Sequence, residues 1–532
     1  MTRLSILLLM FVMAAAAMRA HADHAITVTV HEGARQTFAG LGCNHCDIWP
    51  KLAFRELPED VQWETMRLLW QECNFQYYRV WLERTESTDN FLTMVSQTLD
   101  ILRGINPDAR LLLIPHGRVG EPAAYAGHFA RKILELRIDH GIWFYATGIS
   151  NEPNNPAIGM SMEMIPAIVK ALRDSLDYLE EITTDYLGLD TIRIIAPEAS
   201  NTGDPYFNEY IDALIADPEA MASLHGFGVH SYNMCMTKDA LDKFAPYLEG
   251  DGAGTHALWQ TESSNTLQPE DPATSTQGDS AKGAETAARL ISDLNLGVTH
   301  WLFWKGINGF TENDNGSVII GHNQYTGEYR VFLKYYYLRQ LSRTFDIGAT
   351  FRRASTDFDK YGRYIWMENT YCHPQEPDMK KPPICCAAAR NPGGDWALAV
   401  VNQTGIPNRN GATFFEARTY DVTIDVTELG GVSGIAYDVW RCNNGIRNVL
   451  DPQPAVMENG RLSVTVHPCE LVSLRPSFNT HFAIEPRDYV YMSPHDTGCG
   501  FGVLAALLPP MGLRMHTAAR RRRRRARERR KA

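Results

Sequence analysis

The sequence predicts an α/β protein, a (β/α)8 TIM barrel with an accompanying C-terminal β-sandwich, and two patterns carry the prediction. Between residues 36 and 345, short apolar, β-branched or aromatic runs alternate eight times with amphipathic segments of helical period. From about residue 347 the helical segments cease and short strand-like runs recur about every ten residues. A doubly wound open sheet is the alternative for the first pattern. The barrel strands are apolar nearly throughout, as strands covered on both faces must be.

The elements follow in order. A strand over 25–31 alternates apolar and polar residues and precedes the barrel pattern, so residues 23–35 are expected to join the later sheet. Barrel strands are predicted at 36–44, 75–82, 110–115, 142–147, 192–197, 226–230, 256–261 and 298–304. Between them lie a helix opened by Pro58, Glu59 and Asp60, with Met66, Leu69, Trp70 and Cys73 on one face, and helices near 89–103, 121–138, 162–182, 205–216, 237–247 and 280–294. A last helix is expected over 327–344, closing a barrel domain of 36–345. Sandwich strands within 346–476 are expected at 350–353, 364–368, 386–390, 396–402, 419–426, 435–440 and 462–466.

Composition narrows the class. Of 532 residues, 44% are hydrophobic and 10% aromatic, enough apolar material for a large core. Arg3, the apolar run from Leu4 to Ala17 and Ala20-His21-Ala22 have the form of an export signal over 1–22, and the run is shorter than a spanning helix needs. Export makes disulfides available to the ten cysteines, whose pairing the sequence leaves open. The segment 514–532 carries eleven basic residues against Glu528 alone, so with a total of −11 the rest of the chain sits at −21. An acidic body argues against nucleic acid as a partner. Asn315-Gly-Ser317 and Asn402-Gln-Thr404 are glycosylation sequons if the source is eukaryotic.

A barrel demands that chemistry lie where its strand-to-helix loops converge, at the C-terminal strand ends. The fourth strand ends in Asn151-Glu152-Pro153, where the proline is expected to hold Glu152 in extended backbone. The seventh runs into Trp259-Gln260-Thr261-Glu262. These strands are nearly opposite, so the two carboxylates face each other across the cleft. Paired carboxylates are what glycoside hydrolysis requires, one to protonate the leaving oxygen and one to attack or to activate water. The first must hold a proton near neutral pH, which predicts a raised pKa.

Together with His230-x-Tyr232 after strand six, Trp304 after strand eight, the Gly40-x-Gly42 start and the Tyr335-to-Arg343 junction, these residues resemble clan A glycoside hydrolases, and within them glycoside hydrolase family 30. The resemblance spans roughly 25–476. It implies a secreted retaining β-glycosidase with Glu152 as general acid/base and Glu262 as nucleophile, acting on a carbohydrate without cofactor or metal. Arg79 is the cation expected beside Glu262, or else an ordinary barrel salt bridge; Asn151 suits the sugar 2-hydroxyl. His230 and Tyr232 are candidates to orient Glu262, with a satisfied rim histidine as the alternative. Trp304 is a floor for a sugar ring or a core residue.

Strand three departs from the pattern, ending in Pro115-His116-Gly117 where many glucosyl-binding relatives carry Trp, so His116 is a candidate substrate contact. Glu83, Glu86, Asp47 and Trp49 are further rim residues, and Glu198 is a rim carboxylate without a role. Cys43-x-x-Cys46 lacks the second pair of a zinc site, and 312–317 lacks calcium-loop spacing. The tail, 477–532, places Thr497-Gly-Cys-Gly500 before an apolar run and the arginine cluster, an order similar to a bacterial C-terminal sorting signal at the cell envelope; a disordered basic tail is the alternative. The competing functional class is a non-catalytic carbohydrate-binding protein on the same fold.

Overall fold

The computed structural model describes residues 24–44, 54–83, 85–200, 205–230, 242–250, 254–264, 278–309, 318–323, 326–356, 383–405, 417–429, 433–443 and 445–476. Eight parallel strands close into a barrel in chain order: Gly40–Asn44, Tyr77–Glu83, Arg110–His116, Ala146–Gly148, Arg193–Ala199, Gly226–His230, Ala257–Ser263 and His300–Phe303. Closure comes from the first and last, with Gly40 opposite His300 and Cys43 opposite Phe303. Alternate residues point inward. An inner cluster of Tyr77, Leu112, Ile114, Ala146, Ile195, Trp259 and Leu302 fills the barrel.

Helices cover the outside by the expected stripe. Pro122–His140 starts where the Glu121 carboxylate accepts from the N–H groups of Ala123 and Ala124, and it stops at Gly141 with φ 62°. Met164–Ile182 buries Ile165, Ile168, Val169, Leu172, Leu176 and Leu179, one face of a 3.6-residue period. Among the described residues no helix is long and apolar enough to cross a membrane.

Two elements differ from expectation. Strand four is only Ala146–Gly148, although Tyr145 before it still donates its N–H to the Leu111 carbonyl at 2.9 Å and accepts from the Arg193 N–H at 3.3 Å. Ile142 and Phe144 are buried in the core between barrel and helices, and Tyr145 lies between the guanidinium groups of Arg110 and Arg193, 4.5 and 4.1 Å from its ring. The last helix begins at Lys334, not at 327. Glu328–Val331 pairs antiparallel with Val318–Asn323, and Gly327 at φ 75° supplies the turn before it. Lys305–Gly309 completes that three-stranded sheet.

The second β-region is one ten-stranded sheet. Its path runs Arg447–Leu450, Ala436–Cys442, Leu471–Arg475, Trp396–Asn402, Ile384–Arg390, Thr350–Thr356, His24–Thr37, Tyr420–Asp425 and Arg461–Val466, with Ala455–Val456 beside the second. Strand parity assigns its two faces. Ile384, Cys386 and Ala388 enter a separate apolar core with Ile26, Val28 and Val422, whereas Cys385, Ala387 and Ala389 join the barrel core. Small side chains on that face let the helix Gly278–Asn295 approach closely.

Smaller expectations resolve as follows. Among the described residues, Cys43, Cys73, Cys385, Cys386, Cys442 and Cys469 form no disulfide. Asn402 is fully buried, its amide donating to the carbonyls of Arg418 and Val466, so the folded chain offers no acceptor there for a glycan. Residues 1–22, 45–53, 231–241, 310–317, 364–368 and 477–532 lie outside the described residues, and with them the export signal, Cys46, Asp47, Trp49, Tyr232, the start of the 237–247 helix, Asn315 and the tail.

Candidate active site

The site is built around Arg79. It projects inward from strand two and is fully buried. Its two terminal nitrogens reach across the barrel. Nη1 donates to Asn44 Oδ1 at 2.9 Å and to Glu262 Oε1; Nη2 donates to Asn151 Oδ1 at 2.9 Å and to Glu198 Oε1 at 3.2 Å. One guanidinium therefore ties together the ends of strands one, two, four, five and seven. Burying a cation is tolerable only with such partners.

Glu152 and Glu262 meet as the strand count requires. One oxygen of each and the Nδ1 of His230 all lie within 4.8 Å of one another. Nδ1 is 3.2 Å from Glu152 Oε1 and 3.4 Å from Glu262 Oε2. On its other edge, Nε2 faces Arg79 Nη2 at 3.5 Å. A guanidinium only donates, so the ring proton belongs on Nδ1, between the carboxylates. The same three side chains have the donor types of a metal site, but a ring nitrogen holding a proton is a donor rather than a ligand. The set suits proton sharing.

The electrostatics correct one expectation. Burial works to raise the Glu152 carboxyl, but the hydrogen bond and local field of His230, with the charges of Arg79 and His116, outweigh it. Glu152 is held below the usual carboxylate range in the open site, not above it. Its backbone differs as well: φ is +50°, left-handed rather than extended. Glu198 shares that conformation at φ +60°, and the Glu152 N–H donates to the Glu198 carbonyl at 3.1 Å. Each such residue costs about 1–3 kcal/mol and persists where its surroundings impose it. Asn154 and Ser200 clasp the same two loops, Asn154 Nδ2 donating to Ser200 Oγ at 2.7 Å and Ser200 N–H returning to Asn154 Oδ1 at 3.0 Å.

Aromatic groups form one wall. His116 stacks on Trp81, rings 4.9 Å apart and 6° from parallel, and Trp304 meets the same indole at 5.3 Å. His116 Nδ1 lies 2.7 Å from Glu83 Oε1 at the exposed edge. Trp304 is half-buried, as a platform requires. Glu86 stands apart, in a recess beside Tyr125, His128 and Lys132.

No protein-family model matches the sequence, and no curated protein matches it either. Solved structures do match the fold. A family 30 endoxylanase from Clostridium papyrosolvens C71 aligns with TM-score 0.55 at 12% identity, over 85% of this chain and 99% of that one. Xylanase C of family 30 from Talaromyces cellulolyticus gives 0.57 at 11%, over 84% and 99%, and the endo-β1,6-glucanase BT3312 gives 0.55 at 14%, over 85% and 94%. The fold is that of the family 30 glycoside hydrolases.

On this family 30 fold, Glu152, Glu262, Arg79, Asn151 and His230 converge, and His116 and Trp304 flank them through Trp81. Two participants, Trp81 and Asn44, are additional to the residues expected from the sequence, and a third, Glu198, was expected on the rim but without a role. Trp81 was legible: it lies two residues beyond Arg79 on the same strand and so shares its inward face. Asn44 ends strand one and donates to the carbonyls of Thr261 and Phe303 while accepting from Arg79. Glu198 was hidden by parity. Counted in twos from Ile195, the inward position is Pro197, but the register shifts between Pro197 and Ala199 and turns Glu198 inside. A shift between Gln260 and Ser263 does the same for Glu262. Such irregularities re-aim side chains beside active sites.

Proposed function

We propose that the protein is a secreted retaining β-glycosidase that cleaves β-linked oligo- or polysaccharides or glycoconjugates by double displacement. The observation that carries this reading is the Glu152–Glu262 pair, with carboxylate oxygens within 4.8 Å and one imidazole N–H between them. Retaining enzymes hold their carboxyl groups about 5–5.5 Å apart, whereas inverting ones leave about 6.5–9.5 Å for a water. An oxygen pair this close lies nearer the retaining spacing than the inverting one.

The residues then divide the work. Glu262, anchored by Arg79, attacks the anomeric carbon as Glu152 delivers a proton to the departing oxygen. A glycosyl ester on Glu262 results. Water, deprotonated by Glu152, releases the sugar with retained configuration. Asn151 gives its amide oxygen to Arg79, which leaves the amide N–H2 as the donor for a sugar hydroxyl. Trp304, Trp81 and His116 supply ring faces for the apolar side of the sugar. Because His230 and Arg79 hold Glu152 low, the protonated acid is populated on the acid side of neutrality. Esterification of Glu262 removes a negative charge and lowers Glu152 further, which suits its second role as base.

Aryl β-glycosides test this, with the anomer first released read by NMR. Glu262→Ala is expected to abolish hydrolysis while binding persists. Full activity in that variant, or an inverted first product, defeats the reading. Export rests on the 1–22 segment; N-terminal sequencing of protein recovered outside the cell should begin at Asp23, and a retained Met1 there counts against it.

A further inference from the structure

Glu198 is a third carboxylate beneath the catalytic pair, and the barrel is shaped to admit it. Its side chain is fully buried. Two strands supply glycine where it passes: a Cβ on Gly148 would stand 1.9 Å from Glu198 Oε2, and one on Gly228 2.7 Å from its Cγ. The carboxyl ends 3.2 Å from Arg79 Nη2, on the guanidinium whose other nitrogen holds Glu262. Its own carbonyl accepts the Glu152 N–H.

We infer that Glu198 is a positioning residue for the proposed hydrolysis, fixing the guanidinium plane of Arg79 through its side chain and the backbone of Glu152 through its carbonyl. The inference rests on the glycosidase reading for its kinetic consequence. Arg79 has to present Nη1 to Glu262 and Nη2 to Asn151 at once, and a planar group is set by fixing one more edge contact. Glu198 supplies that contact from below. The groups facing it are Arg79, His230, Glu262 and Thr261; burial raises its carboxyl, and the nearby Arg79 and His230 charges oppose that only in part.

The test compares kcat and KM on an aryl β-glycoside, and follows the Glu262 carboxyl by NMR titration in protein carrying 13C-labelled glutamate, assigned with Glu262→Gln. Glu198→Ala is expected to lower kcat about 10–100-fold with KM within about twofold, and to displace the Glu262 titration. Glu198→Gln, which keeps an acceptor oxygen, should recover kcat to within about fivefold of the parent. If Glu198→Ala does not fold, Gly148→Ala, whose methyl takes the carboxyl's seat, should give the same kcat loss and displacement. Unchanged kcat with an unmoved titration overturns the proposal, as does a loss confined to KM or a Gln variant no better than Ala. Failure of the glycosidase reading looks different: the parent protein hydrolyses no β-glycoside, while the Glu262 titration still responds to Glu198→Ala.

Discussion

The two ends of the barrel interior solve the same problem with opposite chemistry. At the C-terminal end the buried groups are polar: Arg79 donates to Glu262 and Glu198, and His230 Nδ1 lies 3.4 Å from Glu262. At the N-terminal end the interior is closed by rings: His300 stacks on Trp259 at 3.5 Å and 8°, Tyr77 meets both at 4.9 and 5.5 Å, and Tyr145 lies between Arg110 and Arg193. Burial there drives the histidines toward neutrality, His225 down to about 4 and His300 well below its usual value. The lower layer gives stability through area and contact, and the upper layer spends stability on charges held ready.

This contrast breaks most sharply under a pair of substitutions. Arg79→Met leaves Glu262 and Glu198 buried without their cation and should cost about 3–5 kcal/mol together with hydrolysis. Trp259→Ala opens a cavity in the lower layer and should cost a similar ~3–5 kcal/mol, yet the folded fraction should keep its turnover. Chemical denaturation with activity normalised to folded protein checks both. Equal loss of specific activity in the two would erase the distinction between the ends.

A smaller effect sharpens the upper layer. Since His230 helps to hold Glu152 low, His230→Gln should let the Glu152 carboxyl rise and move the alkaline limb of kcat/KM upward. A limb that stays in place would detach His230 from the acid.

The smallest effect belongs to the lower layer. His225 and His300 have folded values depressed below 6.5, so the unfolded chain takes up their protons first. Stability from these groups is present above about 6.5 and is lost as pH falls toward 4. Replacing His300 with Phe should flatten the fall in melting temperature over that window. The parent slope persisting in His300→Phe would place the acid sensitivity elsewhere.

How much of this was legible depends on whether a residue obeys its local period. Eight apolar runs separated by amphipathic helices were enough to place Asn151-Glu152 and Glu262 at strand ends, because strand length and burial are written in composition. Arg79 and Trp81 keep strict alternation on one strand, so their inward face is local information. The left-handed backbone of Glu152 is not: the pre-proline rule disfavours helical geometry, and the choice between extended and left-handed came from the hydrogen bond its N–H makes to Glu198 on the next strand. The direction of its pKa depended in the same way on His230, 78 residues further along the chain.

The sequence by itself therefore determined a barrel, a second β-region and a rim bearing carboxylates at two opposite strand ends, since periodicity fixes which elements form and strand order fixes which ends meet. Tertiary structure alone decided that one guanidinium joins five strand ends, that register shifts turn Glu198 and Glu262 inward, and that Glu152 rests as a carboxylate in the open site. Those outcomes depend on distances between residues far apart in the chain, and a strand irregularity of one residue leaves no mark in composition.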